Sequence, residues 1–263
     1  MTTISDISTK GGSRPVRKRI EPLKAIRAIR ALIADKEDTG QVFRIIDALS
    51  GGSDERMFGR FIANETGQRI VGEKRSLLAT LSDRERLSRL PEGTLGRIYH
   101  EFMASENLTA DGLVEASAEA PRRYGEMPEA ATIFRDRMRD SHDLWHVTTG
   151  YGRDGLGELC LLAFTYAQTR NRGIGFIVLV GARVASKQAP GLGIWRAVRE
   201  GYRLGKAAQW LPLADWETLL SLPLADVRAR LGIAAPVIYQ RIEPVTSAAE
   251  KTKMTGQGMK TAA

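Results

Sequence analysis

A single cysteine, Cys160, and three histidines are all this 263-residue chain offers a metal ion beyond its carboxylates. One cysteine excludes an intramolecular disulfide and a cysteine-rich structural zinc site, so any metal must be held by imidazole and carboxylate. Long apolar runs are missing as well. The longest strongly apolar stretch, Gly173 to Gly181, falls far short of the ~20 residues that span a bilayer, so contact with a membrane would be peripheral. The start of the chain has no apolar h-region, so no secretory signal is expected. Its basic, Ser/Thr-containing character imitates a mitochondrial presequence, although Asp6 and the Gly11-Gly12 pair weaken that likeness.

The body of the chain also lacks net charge. The formal +8 and the pI near 9.8 invite a nucleic-acid partner, but the excess sits at the ends. Residues 1–30 hold eight bases and two acids, residues 249–263 hold three lysines and one glutamate, and the remainder balances. No nucleic-acid module accompanies that charge, so no nucleic-acid partner is expected. The ends read as flexible basic tails, 1–19 and 245–263, around a helical domain at 20–244. At 43% hydrophobic and 27% charged, the chain reads as a globular domain with a sizeable core.

What is present is mostly helical. Leu23, Ile26, Ile29, Leu32 and Ile33 repeat at helical spacing over 20–34, and Val42, Phe43, Ile45 and Ile46 do so over 41–49 until Gly51-Gly52. Ser82 and Glu85 have the spacing of a capping box, and Thr94 is placed to cap a helix through Tyr99, Phe102 and Met103. Pro128 opens a long helix expected to reach Thr149 and end at Gly150. A glycine-rich connection at 152–157 precedes an apolar helix at 159–168. A further helix is expected over 213–231, broken at Pro223 and stopped at Gly232. No alternating strand series appears, and only Gly173–Val180 competes as a buried strand. The expected fold is all-α, a single compact multi-helix domain.

Two of the histidines stand together in Arg139-Asp140-Ser141-His142-Asp143-Leu144-Trp145-His146, and Glu158 follows after eleven intervening residues. At about 100° per residue, Asp143 lies roughly 100° and His146 roughly 40° from His142 around a helix. The i, i+4 imidazoles can therefore converge on one ion, and Glu158, opening the next helix, can return to that face. Imidazole with carboxylate suits a divalent metal such as zinc, iron or manganese. A zinc protease also presents H-x-x-x-H, but its glutamate base directly follows the first histidine, where Asp143 stands here. The bland alternative is a surface hydrogen-bonded pair. Cys160 reads as a small buried hydrophobe, and His100 as a structural residue. The His142-Asp143 doublet also suggests a metal phosphohydrolase, which would need His100 at the same ion.

The H-D-x-x-H-x11-E pattern of His142, Asp143, His146 and Glu158 is similar to the signature of the coenzyme Q (ubiquinone) biosynthesis proteins called Coq-four. Leu90-Pro91-Glu92-Gly93-Thr94-Leu95-Gly96-Arg97 resembles an upstream segment of that family, and Leu156-Gly157-Glu158 and Leu231-Gly232-Ile233 also look like family positions. The resemblance covers roughly residues 80–235. It implies an all-α fold and a divalent metal held by His142, Asp143, His146 and Glu158, with Asp143 either a fourth ligand or a catalytic proton-transfer group. It further implies removal of the C1 carboxylate from a polyprenylated 4-hydroxybenzoate-type ring, with hydroxylation at the same carbon. The work would be done at a membrane surface, with other ubiquinone biosynthesis enzymes as partners and as a homo-oligomer. The location would be the mitochondrial inner membrane in a eukaryote, or the cytoplasmic side of the inner membrane in a bacterium. The alternative within the family is a non-catalytic lipid- or quinone-binding scaffold.

A polyprenyl tail calls for an apolar groove. Leu161, Leu162, Phe164, Ile174, Phe176 and Ile177 are candidate lining, and would equally serve a core. Between Arg170 and Lys206 there are eight bases and one acid. Arg196, Arg199 and Arg203 with Trp195 and Tyr202 could seat the protein on an anionic leaflet, or form a solvated helix face.

Overall fold

A computed structural model describes residues 20–35, 38–106, 108–110 and 128–246. The expected tails lie outside the described residues, except 245 and 246, which belong to a last helix. The fold is all-α. The described elements are α1 (Pro22–Ala34), α2 (Thr39–Leu49), α3 (Ser53–Ile62), α4 (Glu65–Gly72), α5 (Leu77–Ser82), α6 (Arg84–Ser88), α7 (Leu95–Ser105), α8 (Glu129–Asp140), α9 (His142–Thr149), α10 (Gly155–Thr169), α11 (Arg172–Gln188) and α12 (Ile194–Ala207). A 3-10 turn at Leu211–Leu213 leads to α13 (Trp216–Leu219) and α14 (Leu224–Leu231), and α15 occupies residues 237–246.

The core is organised around α10. Its sequence is almost wholly apolar, so it is buried on several faces rather than along one stripe. It packs on α12, α11 and α9. Leu144, Trp145, Leu161, Phe164, Val198, Leu211 and Trp216 are among the buried side chains that fuse these helices into one cluster. The α10–α12 crossing is close because glycines line it: a methyl group on Gly201 would stand 2.5 Å from the Cys160 carbonyl oxygen, and one on Gly205 would stand 2.5 Å from that of Phe164. A smaller cluster joins α1 and α2 to α11 through Ala25, Ala28, Ile29, Ile45 and Ile177. α9 is braced by α7 and α14.

Several expectations are corrected. Gly173–Val180 is helix, not strand: Asn171 caps it by accepting from the Gly173 and Ile174 N–H groups, and the apolar run continues as α11. Ser82 does not form a capping box. It ends α5, and Asp83 caps α6 by accepting from the Arg86 N–H at 3.0 Å. The long helix from Pro128 divides at Ser141, whose backbone stays helical while its hydroxyl bonds the Met138 carbonyl, a local competition with the helix ladder. The glycine-rich connection is shorter than expected, because α10 already begins at Gly155. Leu161, Phe164, Ile174 and Ile177 are buried, and Leu162 and Phe176 pack partly buried against the α1–α2–α11 cluster. The proposed groove lining is therefore occupied as core.

Candidate metal centre

α9 carries His142, Asp143 and His146, and α10 carries Glu158 in its first turn. Three local features set their relative position. Gly150 ends α9 with φ 79°, a left-handed conformation that glycine adopts at little cost. Arg228 donates to the carbonyls of Thr148 at 2.8 Å and Val147 at 3.2 Å, satisfying the open end of α9. Asp154 caps α10, one oxygen accepting from the N–H groups of Leu156 and Gly157. Gly157 must lack a side chain, since a Cβ there would lie 2.1 Å from the Gly152 carbonyl oxygen.

The two imidazoles meet with Nε2 atoms 3.2 Å apart. Glu158 lies beside both, 3.3 Å from Nε2 of His146 and 3.9 Å from Nε2 of His142. Donor atoms of His142, Asp143 and His146 all lie within 4.8 Å of one another. His142, Asp143 and His146 thus form one close group, and Glu158, outside that group, reaches its two histidines. His100 is absent from this group. It lines a separate cavity of about 100 Å³ with Leu81, Leu87, Tyr99 and Met103, so the geometry gives no support to the phosphohydrolase reading. Cys160 is buried, and that burial pushes its thiol far above the range of a nucleophile.

The site has a closed and an open side. His146 is 0% exposed and Asp143 is buried, whereas the side chains of His142 and Glu158 are 33% and 34% exposed. The His146 Nδ1–H donates to the Tyr151 carbonyl at 3.0 Å, which leaves Nε2 to face Glu158: protonated, it donates to that carboxylate, and deprotonated, it offers a lone pair to a metal. Electrostatics treat the two rings differently. Burial lowers the His142 pKa, most of its surface being covered, and neighbouring His146 adds to the effect. Burial also presses His146 downward, but the hydrogen bond and charge of Glu158 outweigh it, so its pKa is raised. Glu158 is held below its ordinary value because His146 overcomes the opposing effect of burial. Arg153 stands on the open rim, its Nε 3.8 Å from Glu158. Sequence reasoning missed Arg153, and missed the bracing by Arg228, which no local spacing signals. Asp154 was readable as a helix cap.

The donor set fits a metal ion. Two imidazole nitrogens bound at about 2.0–2.1 Å to one tetrahedral ion stand roughly 3.3–3.4 Å apart, close to the 3.2 Å found here. Two nitrogens with two carboxylates can neutralise a divalent charge.

A family model described as "Coenzyme Q (ubiquinone) biosynthesis protein Coq4" matches residues 22–237. The chain belongs to the Coq4 family. Among relatives, "Ubiquinone biosynthesis protein COQ4, mitochondrial" of Podospora anserina is 28% identical over 185 residues, covering 69% of this chain and 58% of that protein. The protein of the same name from Eremothecium gossypii is 31% identical over 184 residues, covering 66% and 52%. The chain thus aligns with little more than half the length of these two Coq4 relatives. A crystal structure of a Nostoc punctiforme protein, assigned provisionally to ubiquinone biosynthesis, superposes with a TM-score of 0.60 at 23% identity, covering 82% of this chain and all of that one. That likeness is one of fold.

Proposed function

We propose that this chain is a metal-dependent enzyme of ubiquinone synthesis that removes the C1 carboxylate of a polyprenylated 4-hydroxybenzoate-type ring, with hydroxylation at the same carbon. The observation that carries this reading is the convergence of His142, His146 and Glu158 within 3.9 Å at a partly open site. His142, His146, Glu158 and Asp143 would hold the ion. Replacing carboxylate by hydroxyl releases carbon dioxide and is a two-electron oxidation, for which dioxygen would be the external oxidant and the source of the oxygen atom. Zinc would supply only Lewis-acid polarisation of the ring carboxylate or phenolate, whereas iron would also suit chemistry with dioxygen.

The chain's own residues do the rest. The partly exposed Arg153 draws the substrate carboxylate to the open rim by charge. His146, locked from behind by the Tyr151 carbonyl, keeps one ring orientation. Asp143, buried beside both imidazoles, acts as fourth donor or as a proton-transfer group. No helix among the described residues is long and apolar enough to cross a membrane. Seating on an anionic leaflet is supported by α12, where Trp195 is 44% exposed and Arg196, Arg199 and Arg203 are also exposed. It is supported equally by α1, whose Leu23 (72%), Ile26 and Ile33 face outward beside Lys24, Arg27 and Arg30. Because relatives are named mitochondrial, the location proposed is the mitochondrial inner membrane in a eukaryotic host, or the cytoplasmic side of the inner membrane in a bacterial one. Other enzymes of the pathway and a second copy of the chain are the proposed partners.

The test restores His142→Ala and Glu158→Ala variants to a strain lacking the protein, with metal content measured on the purified variants. Loss of both metal and quinone is expected. Folded, metal-free variants that restore full quinone synthesis would refute the catalytic reading in favour of a scaffold.

A further inference from the structure

Tyr239 lies just beyond the matched family region, on α15, yet its hydroxyl reaches the loop between α9 and α10. It accepts a hydrogen bond from the Gly152 N–H at 2.9 Å and donates one to Oδ2 of Asp154. Each of these partners leads to a different candidate metal donor. The Gly152 N–H and the Tyr151 carbonyl belong to the same planar peptide unit, and that carbonyl accepts the His146 Nδ1–H at 3.0 Å. The other oxygen of Asp154 accepts from Leu156 and Gly157 at 3.1 and 3.0 Å, which starts the helix bearing Glu158.

We infer that Tyr239 is a positioning residue for the metal centre: one hydroxyl fixes both the peptide plane that orients His146 and the cap that orients Glu158. This rests on the metal reading proposed above. The junction has little slack, for a Cβ on Gly152 would stand 2.7 Å from the Tyr239 oxygen. α15 is itself anchored, since Glu200 accepts from the Ile238 and Tyr239 N–H groups at 2.8 and 3.3 Å. Burial, and then the Asp154 carboxylate, raise the Tyr239 pKa, so the phenol keeps the proton it donates. The Tyr239 ring also packs edge-on against Tyr151, with centroids 5.2 Å apart. That contact survives loss of the hydroxyl alone.

The experiment uses the full chain, stripped with chelator and titrated with Co²⁺, whose visible absorption reports ligand geometry. Tyr239→Phe is expected to stay folded with a melting temperature lowered by only a few degrees. It should bind Co²⁺ about 5- to 10-fold more weakly, below the roughly 10- to 100-fold that losing a ligand's direct partner costs, because the hydroxyl acts through the Tyr151–Gly152 peptide and the Asp154 cap, with an altered absorption band. Ile242→Ala, which loosens α15 while keeping the hydroxyl, is expected to lower the melting temperature at least as much yet hold Co²⁺ affinity within about twofold. Tyr239→Phe with wild-type affinity and spectrum would overturn the inference alone, as would equal losses of affinity in the two variants. A wild-type chain that takes up no Co²⁺ would overturn the metal reading and this inference with it.

Discussion

Adding one methyl group to a helical glycine should have opposite effects at two places in this molecule. An alanine in a helix interior is normally favoured over glycine by about 0.5–1 kcal/mol, because the unfolded chain has less freedom to lose. At Gly59, on the exposed face of α3, a Cβ would meet nothing within 4 Å, so Gly59→Ala should gain about that amount. At Gly201 and Gly205 the new carbon would lie 2.5 Å from a backbone carbonyl oxygen of α10. Ordinary contact needs roughly 0.8–0.9 Å more, since C–H···O contacts begin at about 3.3 Å. The obstacle is backbone, so α10 and α12 must move apart as units. Overpacking of this kind costs about 1–3 kcal/mol. After the alanine gain is deducted, each variant should lose up to about 2.5 kcal/mol. The double variant should lose less than the sum, because one separation relieves both clashes. Urea denaturation followed by far-ultraviolet circular dichroism measures this directly, and a loss of 1 kcal/mol corresponds to about 2–4 °C in melting temperature for a domain of this size. If Gly201→Ala and Gly205→Ala stabilise the protein as Gly59→Ala does, the close α10–α12 crossing is wrong.

Three further outcomes are expected. Asp83→Ala should cost about 1 kcal/mol through loss of the α6 cap, whereas Ser82→Ala should stay within about 0.5 kcal/mol by the same denaturation assay. Arg137 is 2% exposed and donates to both oxygens of Glu217 at 2.6 and 2.7 Å and to the Ala214 carbonyl at 2.9 Å. Glu217→Ala should therefore cost about 3–5 kcal/mol by stranding a buried charge, and an Arg137→Met/Glu217→Leu double variant should recover most of that loss. Metal affinity should be full above the raised His146 pKa and fall by up to about tenfold per pH unit below it, because a proton must leave before the nitrogen can bind. Calorimetric titration between pH 5 and 8 checks this, and a flat profile would contradict it.

The helical period made α1, α2 and α7 readable, because each buries one stripe and exposes the rest. It could not decide α11, where β-branched residues in an apolar run suit strand and helix alike until the Asn171 cap is seen. Adjacent Ser82 and Asp83 both qualify as caps, and spacing alone chose the wrong one. At the candidate centre the four donors were legible because they share a short stretch of chain and a fixed spacing. Arg228 and Tyr239 were not, since they meet α9 and α10 across some eighty residues of sequence. Such contacts arise from packing and leave no local pattern. Arg153 is local, but nothing in its neighbourhood marks a rim arginine from a solvated one.

All four candidate donors come from one helical hairpin, residues 142–158. The entropy lost in joining ends grows with the logarithm of the intervening length, so this arrangement is inexpensive to assemble. Its closure does not wait for α1 and α2 to dock, which bury themselves in a separate cluster against α11. In a folding chain, the hairpin can take shape as a local unit while the outer layer is still unattached. Substitutions that loosen that outer layer, Ile29 or Ile45 for instance, would shorten the protein's lifetime in the cell long before they reached the geometry of the histidines.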